Sequence, residues 1–170
     1  MKMGAYRTVG SRFVPPAIGL LALVAAAFSC SGGGELERVT VRIAAGATFR
    51  AELALTVEQR SLGLGGRDAL DRDAGMLFLL PTEERASFWM KGMRFPLDFV
   101  WISGDRRVVG VTEHVAAPAA GTPNSALPLY KPDQPVRYAL EINAGLVSEL
   151  GIRAGDEVTF EPEVDVRRAR

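Results

Sequence analysis

The sequence contains one cysteine, Cys30, and one histidine, His114. A single sulfur cannot form an intramolecular disulfide or a multi-cysteine metal site, and a lone histidine is more often structural than catalytic. Phosphate-binding glycine loops, histidine pairs and the Gly-x-Ser-x-Gly nucleophile elbow are absent as well. We therefore expect no metal and no other cofactor, and no catalytic motif points to a reaction.

The chain also lacks an excess of charge of either sign. The chain has 20 Lys and Arg residues against 20 Asp and Glu residues, and residues 1–29 hold three of the basic residues and no acidic one. Without that segment the net charge is near −3. This balance excludes the basic footprint that nucleic-acid binding requires, so we expect no nucleic-acid partner.

The N-terminal residues carry an export pattern. Lys2, Arg7 and Arg12 precede an apolar run from Phe13 to Phe28, which predicts a secretory signal over residues 1–29. The run is shorter than the roughly 20 apolar residues of a stable membrane span. An uncleaved anchor remains an alternative.

The residues from Ala27 to Cys30 resemble a bacterial lipobox, in which the cysteine becomes the lipidated first residue of the mature protein. Cys30 is the one cysteine of the chain and stands where lipidation needs it, so we predict a lipoprotein of the cell envelope, anchored to the membrane through Cys30. Simple secretion after ordinary signal cleavage is the alternative.

The remaining chain suits one domain. We expect a flexible tether over residues 30–38, a folded domain over 39–162 and a charged, frayed tail over 163–170. Alternating apolar residues predict a hairpin from Val39 onward, and Thr56 is placed to cap a short helix.

Further strand patterns recur along the domain, and Asn143 is placed to cap a second short helix. The count is about eight strands. We predict an α+β fold with a mostly antiparallel, curved or barrel-like β-sheet and two short helices.

The chain is organised around residues 75–102, which contain both tryptophans. Three apolar runs in this segment predict consecutive strands of one sheet: Met76–Leu80, Phe88–Met90 and Leu97–Ile102. This segment should form core, Trp89 included. Charged residues interrupt it, and an isolated buried charge is costly, so we expect Asp98 at the mouth of an apolar face, paired with Lys91 or Arg94.

Several of these residues also carry a family resemblance. The motifs are GMLF at Gly75–Phe78, SFWMK at Ser87–Lys91, PLD at Pro96–Asp98, YALEINAG at Tyr138–Gly145, the pair Gly155 and Asp156, and the single residues Arg60, Gly63, Leu64, Arg67, Leu70, Tyr130 and Pro135. Over about residues 48–160 the chain resembles the uncharacterised family called domain of unknown function 192. The resemblance implies a small domain, often exported, without an assigned activity.

The chain departs from the family pattern at two places. Gly92 and Met93 stand where the family usually has Asn-Thr, and Gly65 stands where Met is typical. If the missing side chains contribute to a site, that site is altered here.

Two classes of function fit these residues. The first is a non-catalytic binding or accessory module for a small molecule or peptide, with a pocket lined by Trp89, Lys91, Asp98, Tyr130 and Glu141. The second is a hydrolase or transferase that uses Asp98 or Glu141 as a base with Lys91 or Arg94 as an electrostatic stabiliser. A carboxylate and a lysine that converge in a cleft would favour catalysis.

Overall fold

A seven-stranded sheet and two short helices make up the computed structural model, which describes residues 36–44 and 46–170 within one compact unit, Glu35–Arg170. The predicted signal, Cys30 and most of the tether lie outside the described residues. The strands are β1 Arg38–Ile43, β2 Ala47–Ala54, β3 Ala74–Glu84, β4 Leu97–Ile102, β5 Val108–Val115, β6 Val136–Asn143 and β7 Val158–Glu161. The helices are α1 Val57–Leu62 and α2 Leu146–Leu150, and 3₁₀ turns occur at Asn124–Ala126 and Val166–Arg168.

The sheet is mixed and curled. Its strand order is β5-β4-β6-β3-β2-β1-β7, and every pair is antiparallel except β2 with β3. This pair is parallel because α1 and the turn after it carry the chain back before β3 begins. At the sheet's edges, a single bridge joins Arg107 to Glu157, between the start of β5 and the start of β7. The predicted β-rich, mostly antiparallel curved sheet with two short helices is therefore confirmed.

The central strands are buried on both faces. All six residues of β4 are buried, and the alternation of its side chains divides them between two apolar clusters. Val100 and Ile102 belong to the cluster inside the curled sheet. Leu97, Phe99 and Trp101 belong to the second cluster, which the segments around Phe88 and Tyr130 cover from outside. This two-sided burial explains why the sequence around β4 is a continuous apolar run.

Local sequence signals account for α1 but not for α2. Thr56 accepts a hydrogen bond from the Gln59 amide while the Gln59 side chain accepts from the Thr56 amide, which is a capping box. The prediction that Asn143 caps α2 is wrong. Its Nδ2 donates to the carbonyls of Leu70 and Asp71, and the N-cap of α2 is Gly145.

Two other predictions need correction. Residues 88–90 do not form a strand, because only Phe88 pairs, through a single bridge to Tyr130, and the strand count falls from eight to seven. The tail is held in place and not frayed. Val164 is buried in the inner cluster, and the Arg168 guanidinium pairs with Glu37.

The two tryptophans have different environments. Trp101 is 2% exposed, contacts Phe88 and Phe99 and donates from Nε1 to Thr112 Oγ1 at 2.9 Å. Trp89 is 38% exposed. The expectation that Trp89 belongs to the core is therefore wrong, and the continuous apolar run concealed a side chain that points to the surface.

We expect Trp101→Ala to lower the free energy of unfolding by about 3–5 kcal/mol and Trp89→Ala by less than about 1 kcal/mol. The two variants are matched because each removes one indole side chain, buried in Trp101 and partly exposed in Trp89. Urea denaturation at neutral pH measures both. Equal losses in the two variants would contradict this assignment of core and surface.

Candidate functional site

A cavity of about 270 Å³ opens on the outer face of the sheet, next to the second apolar cluster. Its walls come from α1, the glycine turn after α1, the end of β3, the segment between β3 and β4, and β6. The lining residues are Val57, Arg60, Ser61, Leu62, Gly63, Leu64, Gly65, Phe78, Leu80, Glu84, Ala86, Ser87, Phe88, Trp89, Lys91, Met93 and Glu141. We call this cavity the Glu141 pocket.

Glycines allow two loops to meet at one side of the pocket. A Cβ at Gly65 would lie 2.8 Å from the carbonyl oxygen of Lys91 and 2.9 Å from that of Leu62, so no other residue fits without a shift. Gly66 donates its amide to the Gly92 carbonyl at 2.8 Å. Gly92 has a left-handed backbone with φ 69°, a conformation that Asn tolerates better than most residues, so Gly in place of the family's usual Asn preserves the turn.

Glu141 lies deep in this pocket. Within β6 its side chain shares a face with Ala139, and its register partners are Met76 of β3 and Phe99 of β4. The residue is 5% exposed. Across residues 36–44 and 46–170, no group donates a hydrogen bond to its carboxyl and no cation pairs with it. Burial alone raises the pKa of Glu141 to about 8, so the carboxyl is largely protonated at neutral pH.

The carboxyl of Asp98 does not lie in the pocket with that of Glu141. The register pairs Phe99 with Glu141 and Asp98 with Ile142, so the two carboxyls point to opposite faces of the sheet. Asp98 is fully buried, and its oxygens accept from the backbone amides of His114 at 2.7 Å and Val147 at 3.0 Å. It therefore ties the end of β5 to the first turn of α2.

The prediction that a cation holds Asp98 is wrong. Arg94 pairs with Asp68, and Lys91 places its Nζ 5.3 Å from the centre of the Trp89 ring. Both cations precede β4, which begins at Leu97, and both have other partners. Backbone amides satisfy the Asp98 carboxylate instead.

The structure brings together three of the five predicted binding residues. Trp89, Lys91 and Glu141 all line the pocket, with Trp89 and Lys91 at its rim. Tyr130 does not line it. Its backbone pairs with Phe88, and its ring packs on Phe99 at 5.8 Å between centroids, so it supports the pocket wall from behind.

Sequence reasoning missed the contribution of α1 and its glycine turn. The helix has no buried residue, and it exposes Val57 and Leu62 at the pocket rim. Arg60 turns inward and donates to the carbonyls of Leu55 and Leu79, while desolvation lowers its pKa. The resemblance to the family includes Arg60, Gly63 and Leu64, and that signal could have directed attention to this helix.

Residues 36–44 and 46–170 contain no cluster of three or more His, Cys, Asp or Glu side chains that could hold a metal ion. No helix within the same ranges is long and apolar enough to cross a membrane.

Glu141 should make stability depend on pH. The folded pKa lies above the unfolded value, so the folded state binds the extra proton, and the stability that this proton confers is complete below about pH 4.5 and lost as pH rises towards about 8. The loss approaches about 1.4 kcal/mol per pH unit within that window. Glu141→Gln removes this pH-dependent contribution. The free energy of unfolding of the variant should therefore rise relative to that of wild type between about pH 4.5 and about pH 8.

Urea denaturation at about one-unit pH intervals measures this difference. Glu84→Gln removes an exposed carboxylate from the same pocket and serves as the matched control, with a pH profile close to that of wild type. Parallel profiles for Glu141→Gln and wild type would contradict the raised pKa.

Comparisons with known proteins agree with the resemblance in the motifs. The model of the family DUF192, described as "Uncharacterized ACR", matches residues 39–160. No curated protein matches the chain significantly. A crystal structure of a protein of unknown function from Novosphingobium aromaticivorans is 31% identical, with a TM-score of 0.63, and the match covers 92% of this chain and 99% of that one.

A second crystal structure, described provisionally as a transcription regulator from Sinorhizobium meliloti, is 34% identical with a TM-score of 0.62. That match covers 74% of this chain and 93% of the other. The family model spans well over half of the chain, and both structures share the fold. The chain belongs to the DUF192 family of uncharacterised proteins.

Proposed function

We propose that this domain is a non-catalytic binding module that takes a small, largely apolar ligand in the Glu141 pocket. The observation that carries the proposal is a buried carboxyl without a partner among the described residues, placed in a cavity whose lining combines apolar and aromatic side chains with a few polar ones. Cavities that combine hydrophobic and aromatic side chains with a small number of polar groups are the usual form of small-molecule sites.

The size of the pocket limits the ligand. A cavity of about 150 Å³ accommodates one benzene ring. The Glu141 pocket, at about 270 Å³, therefore has room for one or two rings or a short branched chain. A single large side chain of a peptide is of the same size.

The rim of the pocket supports binding as well. Val57, Leu62 and Trp89 are 57%, 69% and 38% exposed, and all three surround the opening. Single exposed apolar residues are common, but several around one cavity indicate an interaction site. A ligand that extends beyond the cavity would cover them.

Binding can be tested with two uncharged probes, phenethyl alcohol and indole. The chain has two tryptophans, so the indole N–H signals of ¹⁵N-labelled protein report on the rim and the core separately. We expect the probes to shift the Trp89 signal, with dissociation constants on the order of millimolar for ligands this small, and to leave the buried Trp101 signal in place.

A blocked pocket provides the control. Ala86 is partly buried in the lining, and Ala86→Phe should fill the cavity and abolish the shift. Ala116→Phe adds the same side chain at an exposed position away from the lining and should bind as wild type does. Equal binding by the two variants, or no binding by wild type, would remove the proposal.

Catalysis is the second candidate. A carboxyl with a pKa of about 8 is suited to proton transfer near neutral pH, and Lys91 lines the same cavity. Asp98 and Arg94 take no part, since neither lines the pocket. Against catalysis, no described residue donates a hydrogen bond to the Glu141 carboxyl to form an acid–base pair. A ligand recovered unchanged after binding would favour the module; turnover lost in Glu141→Gln would favour the enzyme.

We also propose that the protein is exported and held at the cell envelope by a lipid on Cys30. The sequence from Lys2 to Cys30 supports this proposal through its basic start, apolar run and single cysteine. We expect Cys30→Ser to abolish incorporation of a labelled fatty acid and to leave the precursor unprocessed. Equal labelling of Cys30→Ser and wild type would leave simple secretion as the explanation.

A further inference from the structure

Two carboxyls are buried in the described part of the chain, and the fold treats them differently. The Asp98 carboxyl is fully buried and accepts hydrogen bonds from two backbone amides. Glu141 receives no donor and no cation from residues 36–44 and 46–170, although it lines an open cavity. Buried acids are normally paired, and the cavity beside Glu141 leaves room for a partner that the described residues do not supply.

We propose that the Glu141 pocket selects an organic ammonium ion, an alkyl or aralkyl amine whose cationic nitrogen pairs with the Glu141 carboxylate while its apolar body fills the cavity. This inference rests on the proposed function and names the class of ligand. A cation supplies both the opposite charge and the hydrogen-bond donors that the carboxylate lacks, whereas a neutral ligand supplies only one of these.

The aromatic walls suit such a ligand. Phe78 and Phe88 line the cavity, with their rings in edge-to-face contact at 5.2 Å between centroids, and Trp89 stands at the rim. Aromatic faces attract ammonium ions through the negative face of the π-system. The Trp89 ring already has an ammonium near it, since Lys91 Nζ lies 5.3 Å from its centre.

Three further charged residues line the pocket. They are Arg60 of α1, Glu84 of β3 and Lys91 of the segment before β4, and the neighbouring strand residues Met76 and Phe99 carry no charge. The Arg60 guanidinium is held by the carbonyls of Leu55, Leu79 and Arg170. Glu84 and Lys91 are exposed, so water screens their effect on a cation bound deeper in the pocket.

Binding should be coupled to proton release. The free carboxyl holds its proton below about pH 8, and the ammonium pairs with the ionised form. The proton therefore passes to solvent when the amine binds. Affinity should rise about tenfold per pH unit up to about pH 8 and then level, as long as the amine itself stays protonated.

Matched probes test the inference: phenethylamine, its uncharged analogue phenethyl alcohol, and the anion phenylpropionate. Titrations followed by the Trp89 indole signal are run at about pH 6, 7 and 8. At the highest pH we expect wild type to bind the amine at least tenfold more tightly than the alcohol, and the alcohol more tightly than the anion. The alcohol should show little pH dependence.

Variants identify the group responsible. Glu141→Gln should retain the alcohol's affinity and lose both the preference for the amine and its dependence on pH. Glu113→Gln removes an exposed carboxylate outside the lining and should retain both, and Glu84→Gln tests the rim carboxylate directly. Calorimetry of amine binding in buffers with different ionisation enthalpies should detect a released proton in wild type and none in Glu141→Gln.

The outcomes separate the two proposals. If wild type binds the alcohol as tightly as the amine at about pH 8, or if Glu141→Gln binds the amine unchanged, the ammonium inference fails while the binding module stands. If neither probe binds wild type, the proposed function fails and the inference fails with it. Loss of amine preference in Glu84→Gln but not in Glu141→Gln would assign recognition to the rim and overturn the inference.

Discussion

The burial of the central strands on both faces is the constraint on which the rest of this structure depends. β3, β4 and β6 lie side by side, with one apolar cluster inside the curled sheet and another outside it. Side chains at the centre of these strands are almost wholly removed from water, and Glu141 meets it only through the pocket. A carboxyl placed there must receive hydrogen bonds or give up its charge, and each of the two buried carboxyls takes one of these routes.

Asp98 illustrates the first route and has a structural role. Its two hydrogen bonds join β4 to the end of β5 and to the first turn of α2, the helix that Asn143 was expected to cap. Removal of the carboxylate would leave two backbone amides without an acceptor, at about 1–3 kcal/mol each. Asp98 thus stabilises the framework that holds β6, and β6 in turn carries Glu141 into the pocket.

Glu141 illustrates the second route, which lowers stability. At neutral pH the unfolded chain would ionise this residue and the folded chain largely would not, so the native state gives up free energy to keep a buried acid neutral. An apolar residue would avoid that cost. Residues that lower stability in this way are concentrated at functional sites, where they contribute to activity or binding. The glycine turn at Gly65 belongs to the same site, since it lets α1 and the Lys91 loop close around the cavity.

The sequence alone determined the β-rich fold class, the hairpin of β1 and β2, the capping of α1 by Thr56 and the family, because these depend on local alternation, capping chemistry and motif spacing. It also singled out Trp89, Lys91 and Glu141, which line one cavity in the structure. Only the tertiary structure decided that Trp89 is at the surface and that Asp98 and Glu141 face opposite sides of the sheet. Those outcomes depend on strand register and on which loop covers each face. A shift of one residue in the register between β4 and β6 would place Asp98 and Glu141 on the same face. Residue spacing along the chain carries no information about that choice, so the pocket could not be assembled before the strands were paired.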